Sequence, residues 1–146
     1  MTRRVSVRRA RPHDAKPIAE MERACFKNPN PQLVLHVCGF VDGFLVAEGD
    51  AGILGYVLFT PSSSSHARVL SLAVSPDHRR RGVATCLMRG AFDVLRRRDF
   101  ESVGLEVRVS NEAAQSLYEE LGFVYEDTDE SYYDDGEDAY IMKKKL

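Results

Sequence analysis

Three arginines run into a glycine in "RRRGVA" (Arg79 to Ala84), and the residues that follow have the spacing of a helix. Before them, "RVLSLAVS" (Arg68 to Ser75) reads as a strand stopped by Pro76. A helix N-terminus exposes unpaired N–H groups and carries about half a positive charge. Gly82 has no Cβ, so an anion can approach its backbone closely. Strand, glycine-bearing turn and helix start together make a phosphate cradle. The turn has neither the G-x-x-x-x-G-K-[ST] of a P-loop nor the G-x-G-x-x-G of a dinucleotide fold, so it is a third kind of cradle. A second chemical feature is Glu106 in "GLEVRV". Alternation puts Leu105 and Val107 on one face of that strand and Gly104, Glu106 and Arg108 on the other. A carboxylate inside an apolar strand between two covered faces is expected to have a pKa raised by desolvation. That is the tuning a general base near neutral pH needs.

The elements that must position these groups follow from pattern and punctuation. "VSVRRA" (Val5 to Ala10) starts as a strand. Asp14 offers an N-cap to a helix with Ile18, Met21 and Cys25 at helical spacing. "KNPNP" (Lys27 to Pro31) breaks it, and a short helix is expected around Gln32 to Cys38. Gly43 to Thr60 reads as two strands around a Gly-Asp-Ala-Gly turn. "PSSSSH" (Pro61 to His66) is polar; too few strands lie on either side for it to link two separate cores. A helix runs from about Gly82 to Arg98, with Val83, Leu87, Ala91 and Val94 on one face. Ser102 to Val109 is a strand. Asn111 to Leu121 is a helix with Ala114, Leu117, Tyr118 and Leu121 on its apolar side, stopped by Gly122. "FVYED" and "EDAYIMK" are an antiparallel pair joined through "SYYDDG", where Asp-Gly favours a tight turn.

The chain of 146 residues is expected to be a single domain, 1–146. Its apolar content of 44 % and charged content of 29 % are ordinary for a globular protein. A net charge of −2 gives no global pull toward nucleic acid or membrane. Cys25, Cys38 and Cys86 are odd in number and lack C-x-x-C spacing, which suits a reducing cytosol and argues against a disulfide framework or a zinc site. Cys25 and Cys86 are expected in the core rather than as nucleophiles. The four histidines are scattered without metal-ligand spacing. No apolar run approaches a membrane span, and the basic N-terminus lacks a signal peptide's apolar centre. A cytoplasmic location is expected.

"RRRGVA" matches the Q/R-x-x-G-x-G/A signature of the GCN5-related N-acetyltransferases (GNAT), and the chain resembles that family in its surroundings too. "LAVSPDHRRRGVATCLM" keeps the family's order of strand, turn and helix. Asn111, Ala114, Leu117, Tyr118 and the "LGF" at 121–123 match its next motif. The resemblance implies an α/β GNAT fold, a mixed and mostly antiparallel sheet of about seven strands flanked by about four helices. It implies acetyl-CoA as cosubstrate. Backbone amides from Arg81 to Thr85 would take the pyrophosphate, in a cradle of Arg79, Arg80, Arg81, Gly82, Val83, Ala84 and Thr85. The arginine side chains themselves either contact the anion or form a solvated face beside it. Leu72, Ala73 and Val74 would pair through their backbone with the pantetheine arm, and Asn111 would reach the same arm.

"LEVRVSNEAAQSLYEELGF" and "SYYDDGEDAYIM" are similar to segments of the RimI-like protein N-terminal acetyltransferases within that family. This likeness puts the general base on Glu106 and the general acid, which also contacts the cosubstrate, on Tyr118. Tyr132 and Tyr133 would shape a peptide site, and Phe26 would line its opposite wall. The chain departs from the alanine-specific pattern: "KNPNP" stands after Phe26 where Pro-Trp is common, and there is no Trp. Glu106 is read as base or as an ion-pairing, substrate-orienting group; Tyr118 as acid or as a packed aromatic. An α-amine, with a pKa of about 7.7–8.0 against about 10.4 for lysine, is the easier acceptor for a modest base. The resemblance, with which this gap agrees, implies a protein or peptide N-terminus as acceptor and direct transfer in a ternary complex. No metal, nucleic acid or membrane partner is expected, and a monomer or weak dimer is. Other readings are a GNAT acting on a small-molecule amine or a lysine side chain, and an acetyl-CoA-binding module with little turnover.

Overall fold

The computed structural model describes residues 5–26, 29, 42–79 and 82–146. Its strands are β1 (Ser6–Arg9), β2 (Phe44–Gly49), β3 (Gly52–Pro61), β4 (His66–Val74), β5 (Ser102–Arg108), β6 (Val124–Asp129) and β7 (Ala139–Lys145). They form one seven-stranded sheet in the order β1-β2-β3-β4-β5-β7-β6. β4 and β5 run parallel, while β1/β2, β2/β3, β5/β7 and β6/β7 are antiparallel. The described α-helices are α1 (Ala15–Cys25), α2 (Val83–Arg97) and α3 (Glu112–Glu120). This is the mixed α/β sheet expected from the sequence, with three helices among the described residues rather than about four. The helix expected over Gln32 to Cys38 lies outside them. No helix among the described residues is long and apolar enough to cross a membrane.

The chain divides into two compact units, Met1–Phe59 with Leu70–Val94, and Thr60–Val69 with Leu95–Leu146. In the first, Ile18, Phe44, Val46 and Tyr56 are completely buried and cluster with Met21, Leu58 and Ala73. Phe44 and Tyr56 meet at tilted rings 5.5 Å apart. The β2–β3 hairpin turns over Asp50 and Ala51, with Gly49 paired to Gly52, as the Gly-Asp-Ala-Gly pattern predicts. Gly52 has φ +110°, which a side chain rarely adopts. Asp14 sits at the expected start of α1, but its side chain does not cap it. The carboxylate is 3 % exposed, accepts from the Arg11 N–H at 2.8 Å and pairs with Arg8 at 2.8 Å. The guanidinium, which also reaches Glu48, outcompetes the weaker cap.

In the second unit, β5 alternates as read: Val103, Leu105 and Val107 are buried, while Gly104, Glu106 and Arg108 are half-buried. Ser62 and Ser63 donate backbone N–H groups to the His66 carbonyl at 2.9 and 3.1 Å, so the serine run is a closed loop and not a linker. β6 and β7 pair as expected, but they are joined by residues 130–138 rather than by a two-residue turn. The Asp-Gly signal is realised inside that loop, where Gly136 (φ +87°) donates to the Tyr133 carbonyl at 2.8 Å.

Candidate functional site

In the first unit the cradle is built from β4, the turn after it and the start of α2. Val83, Leu87 and Ala91 are buried on α2, joined by Met88, Phe92 and Leu95 on a wider stripe than the one expected; Val94 is only half-buried. The helix lies close to β1 and β2, since a Cβ on Gly90 would come within 2.9 Å of Val7. A Cβ on Gly55 would meet the Ala73 carbonyl at 2.6 Å, so this glycine lets β3 and β4 approach at the strand that leads into the turn. Neither glycine was singled out in the sequence, where an isolated glycine inside an element is the signal for such an approach.

Gly82 stands at the N-terminus of α2 with φ +77° and open space where a Cβ would lie. The first helical bond runs from the Cys86 N–H to the Gly82 carbonyl at 3.0 Å. The N–H groups of Val83, Ala84 and Thr85 therefore belong to the orphan set of a helix start, at the positive end of a fifteen-residue dipole. Val83 is buried, while Ala84 and Thr85 are half-buried. These features fit a phosphate group.

Leu72 and Val74 are half-buried on β4, and Ala73 is 4 % exposed. The Val74 carbonyl accepts from the Cys25 thiol at 3.4 Å and from Arg79 Nε at 3.3 Å. Arg79 is thus folded back on the strand end, and its Nη2 also reaches Cys25 Sγ at 3.5 Å. Arg80 and Arg81 lie outside the described residues. Phe26 ends α1 in extended conformation and packs half-buried against the core of this unit. The expectation that Cys86 is a core residue is corrected: it is exposed, because the first turn of α2 buries Val83 and turns position 86 outward. Cys25 is half-buried. A polar group missed in the sequence is Tyr56, whose hydroxyl donates to Glu22 at 3.0 Å and bonds Ser71 at 3.2 Å. Burial pushes its phenol far above the ordinary range.

In the second unit, Glu106 is ion-paired, one of the two readings the sequence left open for it. Arg68 Nε donates to its Oε2 at 2.9 Å, and Nη2 lies 2.8 Å from the same oxygen in an ion pair. The parallel register sets Arg68 opposite Gly104, two residues along β5 from Glu106. Arg68 Nη2 also donates to the Tyr132 hydroxyl at 2.6 Å. Tyr132 meets Tyr133 edge to face at 4.9 Å, and Arg108 lies 3.9 Å from the Tyr133 ring centre. Arg108 further pairs with Asp135 and Glu137, each at 2.9 Å. Bonds from Ser110, then Arg108, hold the Glu137 carboxyl below the usual range. One arginine at the end of β5 thus fixes the loop that carries both tyrosines.

Tyr118 is 9 % exposed on α3 and packs edge-on to Phe123 at 5.8 Å. Burial, with a smaller contribution from Tyr133, pushes its pKa up to about 12. Burial likewise raises Tyr133, against the lowering influence of Arg108. Glu106 is among the groups that act on Tyr133. Tyr133 thus acts on Tyr118 and is itself acted on by Tyr132 and Glu106. Asn111 caps α3, its Oδ1 accepting from the Ala114 N–H at 3.1 Å, a local task not anticipated for it. Gln115 Nε2 donates to the Arg108 and Val109 carbonyls at 3.1 and 2.9 Å and locks the β5–α3 junction. Arg68 and Arg108 are the residues of this cluster that sequence reasoning missed. Among the described residues, no group of three or more His, Cys, Asp or Glu is arranged to hold a metal ion.

Comparison with known proteins places these observations. An N-alpha-acetyltransferase of Sulfurisphaera tokodaii is 34 % identical over 154 aligned positions, covering 96 % of this chain and 92 % of the relative. The crystal structure of Ard1 from Thermoplasma volcanium superposes with a TM-score of 0.90 at 27 % identity, over 97 % of each chain. The ribosomal-protein-S18-alanine N-acetyltransferase of Escherichia coli does so with a TM-score of 0.86 at 26 % identity, over 98 % of this chain and 94 % of that one. Residues 14–123, from the start of α1 to the end of the α3 motif, match the Acetyltransferase (GNAT) family, and the chain belongs to that family of acetyltransferases.

Proposed function

We propose that the chain, as one catalytic domain over residues 1–146, transfers the acetyl group of acetyl-CoA to the α-amine of a protein or peptide N-terminus. The observation that carries this reading is the clustering of Glu106 with Tyr132 through Arg68, in the same neighbourhood as Tyr133 and Tyr118. Groups suited to proton transfer sit beside a rigid aromatic loop, an arrangement that suits an extended peptide better than a small polyamine. The relatives' names, N-alpha-acetyltransferase and S18-alanine N-acetyltransferase, support the same acceptor class.

In this reading the N–H groups of Val83, Ala84 and Thr85, with Gly82, hold the pyrophosphate. Backbone groups of Leu72, Ala73 and Val74 pair with the pantetheine arm, for which Arg79 withdraws from the Val74 carbonyl. Arg80 and Arg81 flank the cradle, and Asn111 reaches the arm through its side-chain nitrogen. Phe26, Tyr132 and Tyr133 orient the acceptor peptide. Glu106 takes a proton from the acceptor ammonium, freeing the nitrogen lone pair to attack the acetyl carbonyl. Tyr118, fully protonated near neutral pH, supplies a proton to the departing sulfur. Transfer is direct, in a ternary complex, and uses no metal. The protein works in the cytoplasm as a monomer or weak dimer, without nucleic acid or membrane.

The test is CoA release from acetyl-CoA with a peptide panel: free N-termini beginning with Ala, Ser and Met, an initiator-Met peptide with an acidic second residue, and an N-blocked peptide with an internal lysine. Turnover confined to free N-termini is expected. Turnover only on the lysine peptide would move the acceptor, and tight acetyl-CoA binding with no turnover on any peptide would overturn the reading.

A further inference from the structure

Arg68 carries two contacts that a strand residue does not need. Its guanidinium holds a carboxylate from β5 and a phenol from the β6–β7 loop at once, at 2.8–2.9 and 2.6 Å. The hydrogen bond from Nε and the ion-pair contact of Nη2 both fall on Oε2 of Glu106, and Oε1 has no hydrogen-bond partner among the described residues. The side chains of Arg68 and Glu106 are 39 % and 18 % exposed. An ion pair with one partner so exposed adds little to fold stability, and ordering a long arginine opposes it. Burial works against the charge of Arg68, yet Glu106 and then Tyr132 outweigh it and hold the guanidinium more firmly charged than usual. The arrangement suits orientation better than it suits stability.

We propose that Arg68 is a positioning residue for the acceptor's proton transfer. It anchors Oε2 of Glu106 so that Oε1 alone receives the proton, and it ties Tyr132 to the same point, so that the carboxylate and the peptide-orienting loop are set together. The inference rests on the reading of Glu106 as base given above. In the step, one N–H bond of the acceptor ammonium breaks and one O–H bond forms at Oε1, while the nitrogen keeps the electron pair that attacks the acetyl carbon. Oε2 stays bonded to Arg68 throughout. A lysine in its place has a point charge without the planar fork and cannot hold both partners in one fixed geometry.

The experiment uses the full chain with Arg68→Met, Arg68→Lys and Tyr132→Phe. Arg68→Met is expected to lower kcat on the best N-terminal peptide by on the order of 10²-fold, the scale of a misplaced catalytic group. Acetyl-CoA affinity should not change. Free methylguanidinium should restore part of kcat, and Arg68→Lys should fall between. A residue needed only for folding would give neither the rescue nor the split between kcat and cosubstrate affinity. Tyr132→Phe keeps the ion pair and should raise peptide KM more than it lowers kcat. Amide exchange at Ser131 and Tyr133, whose N–H groups bond Asp138 and Glu137 across the loop, should accelerate in Arg68→Met and Tyr132→Phe. Wild-type kcat in Arg68→Met, or a loss that neither methylguanidinium nor lysine recovers, overturns the proposal. If the wild-type protein turns over no N-terminal peptide, the acceptor reading has failed. The exchange measurement then judges the tie to Tyr132 by itself, and unchanged exchange overturns it.

Discussion

Tyr118→Phe removes one oxygen from a side chain that is 9 % exposed. The ring contact with Phe123 survives, and the hydroxyl has no hydrogen-bond partner among the described residues. No protein hydrogen bond is lost, so stability should stay within about 1 kcal/mol of wild type. For a domain of this size that is about 2–4 °C in Tm. The chemical cost has another scale. Loss of a general acid lowers kcat by about 10²–10⁴, which is about 2.7–5.4 kcal/mol of barrier. Steady-state CoA release and a thermal melt on the same preparation separate the two. A kcat within a few-fold of wild type would show that Tyr118 only packs and contacts the cosubstrate. The pH dependence gives an independent check. The folded pKa of about 12 lies above the ordinary 10.0, so the folded state keeps this proton where the unfolded chain loses it. Stability tied to Tyr118 is fully present below about pH 10 and is lost as pH rises toward about 12. The phenylalanine variant has no such proton to lose and should resist alkaline unfolding better than wild type.

Glu106→Gln keeps the size of the side chain and an oxygen that can accept from Arg68, but it cannot take up the acceptor's proton. It should lower kcat by on the order of 10²–10⁴ with acetyl-CoA affinity nearly unchanged, and an unaltered kcat would remove Glu106 from the base role. Gly82→Val forces a β-branched residue into φ +77° and sets a side chain in the open space at the start of α2. It should strain the turn by about 1–3 kcal/mol and weaken acetyl-CoA binding measured by calorimetry; wild-type affinity would refute the cradle.

What was legible in the sequence is what depends on neighbours along the chain. The alternation of β5, the stop at Pro76, the glycine before α2 and the apolar side of α3 all arise from local sterics and periodicity. They placed Gly82, Glu106 and Tyr118 on the right elements. The contacts of Glu106 were not legible, because they depend on the register between β4 and β5, where residues 68 and 104 become partners. No local signal sets that register, so the sequence allowed an ion pair at Glu106 without showing that Arg68 is its partner. The same limit applies to Arg108, whose partners at 135 and 137 come together only when β7 closes on β5. Asp14 and Asn111 illustrate competition at helix ends: one carboxylate went to an arginine instead of the cap, and one amide went to the cap. Cys86 was misread because apolar composition says inside, while the first turn of a helix whose other face is buried says outside.

The outer strand β6 has a consequence for how the protein behaves in concentrated solution. It ends the sheet formed by the described residues, so among them one side of its backbone ladder has no strand beside it, and Val124 and Tyr125 are 65 % and 57 % exposed. Such an edge is a template for sheet-to-sheet association. Glu126, Asp127 and Asp129 line the same strand and are exposed, so two copies approaching edge to edge bring like charges together. That repulsion acts over about 10 Å at 0.1 M salt and about 3 Å at 1 M. Colloidal stability should therefore fall with ionic strength, and light scattering from a salt series would register it as a rise in apparent mass; a flat series would mean that the backbone edge, and not its charge, keeps the molecules apart.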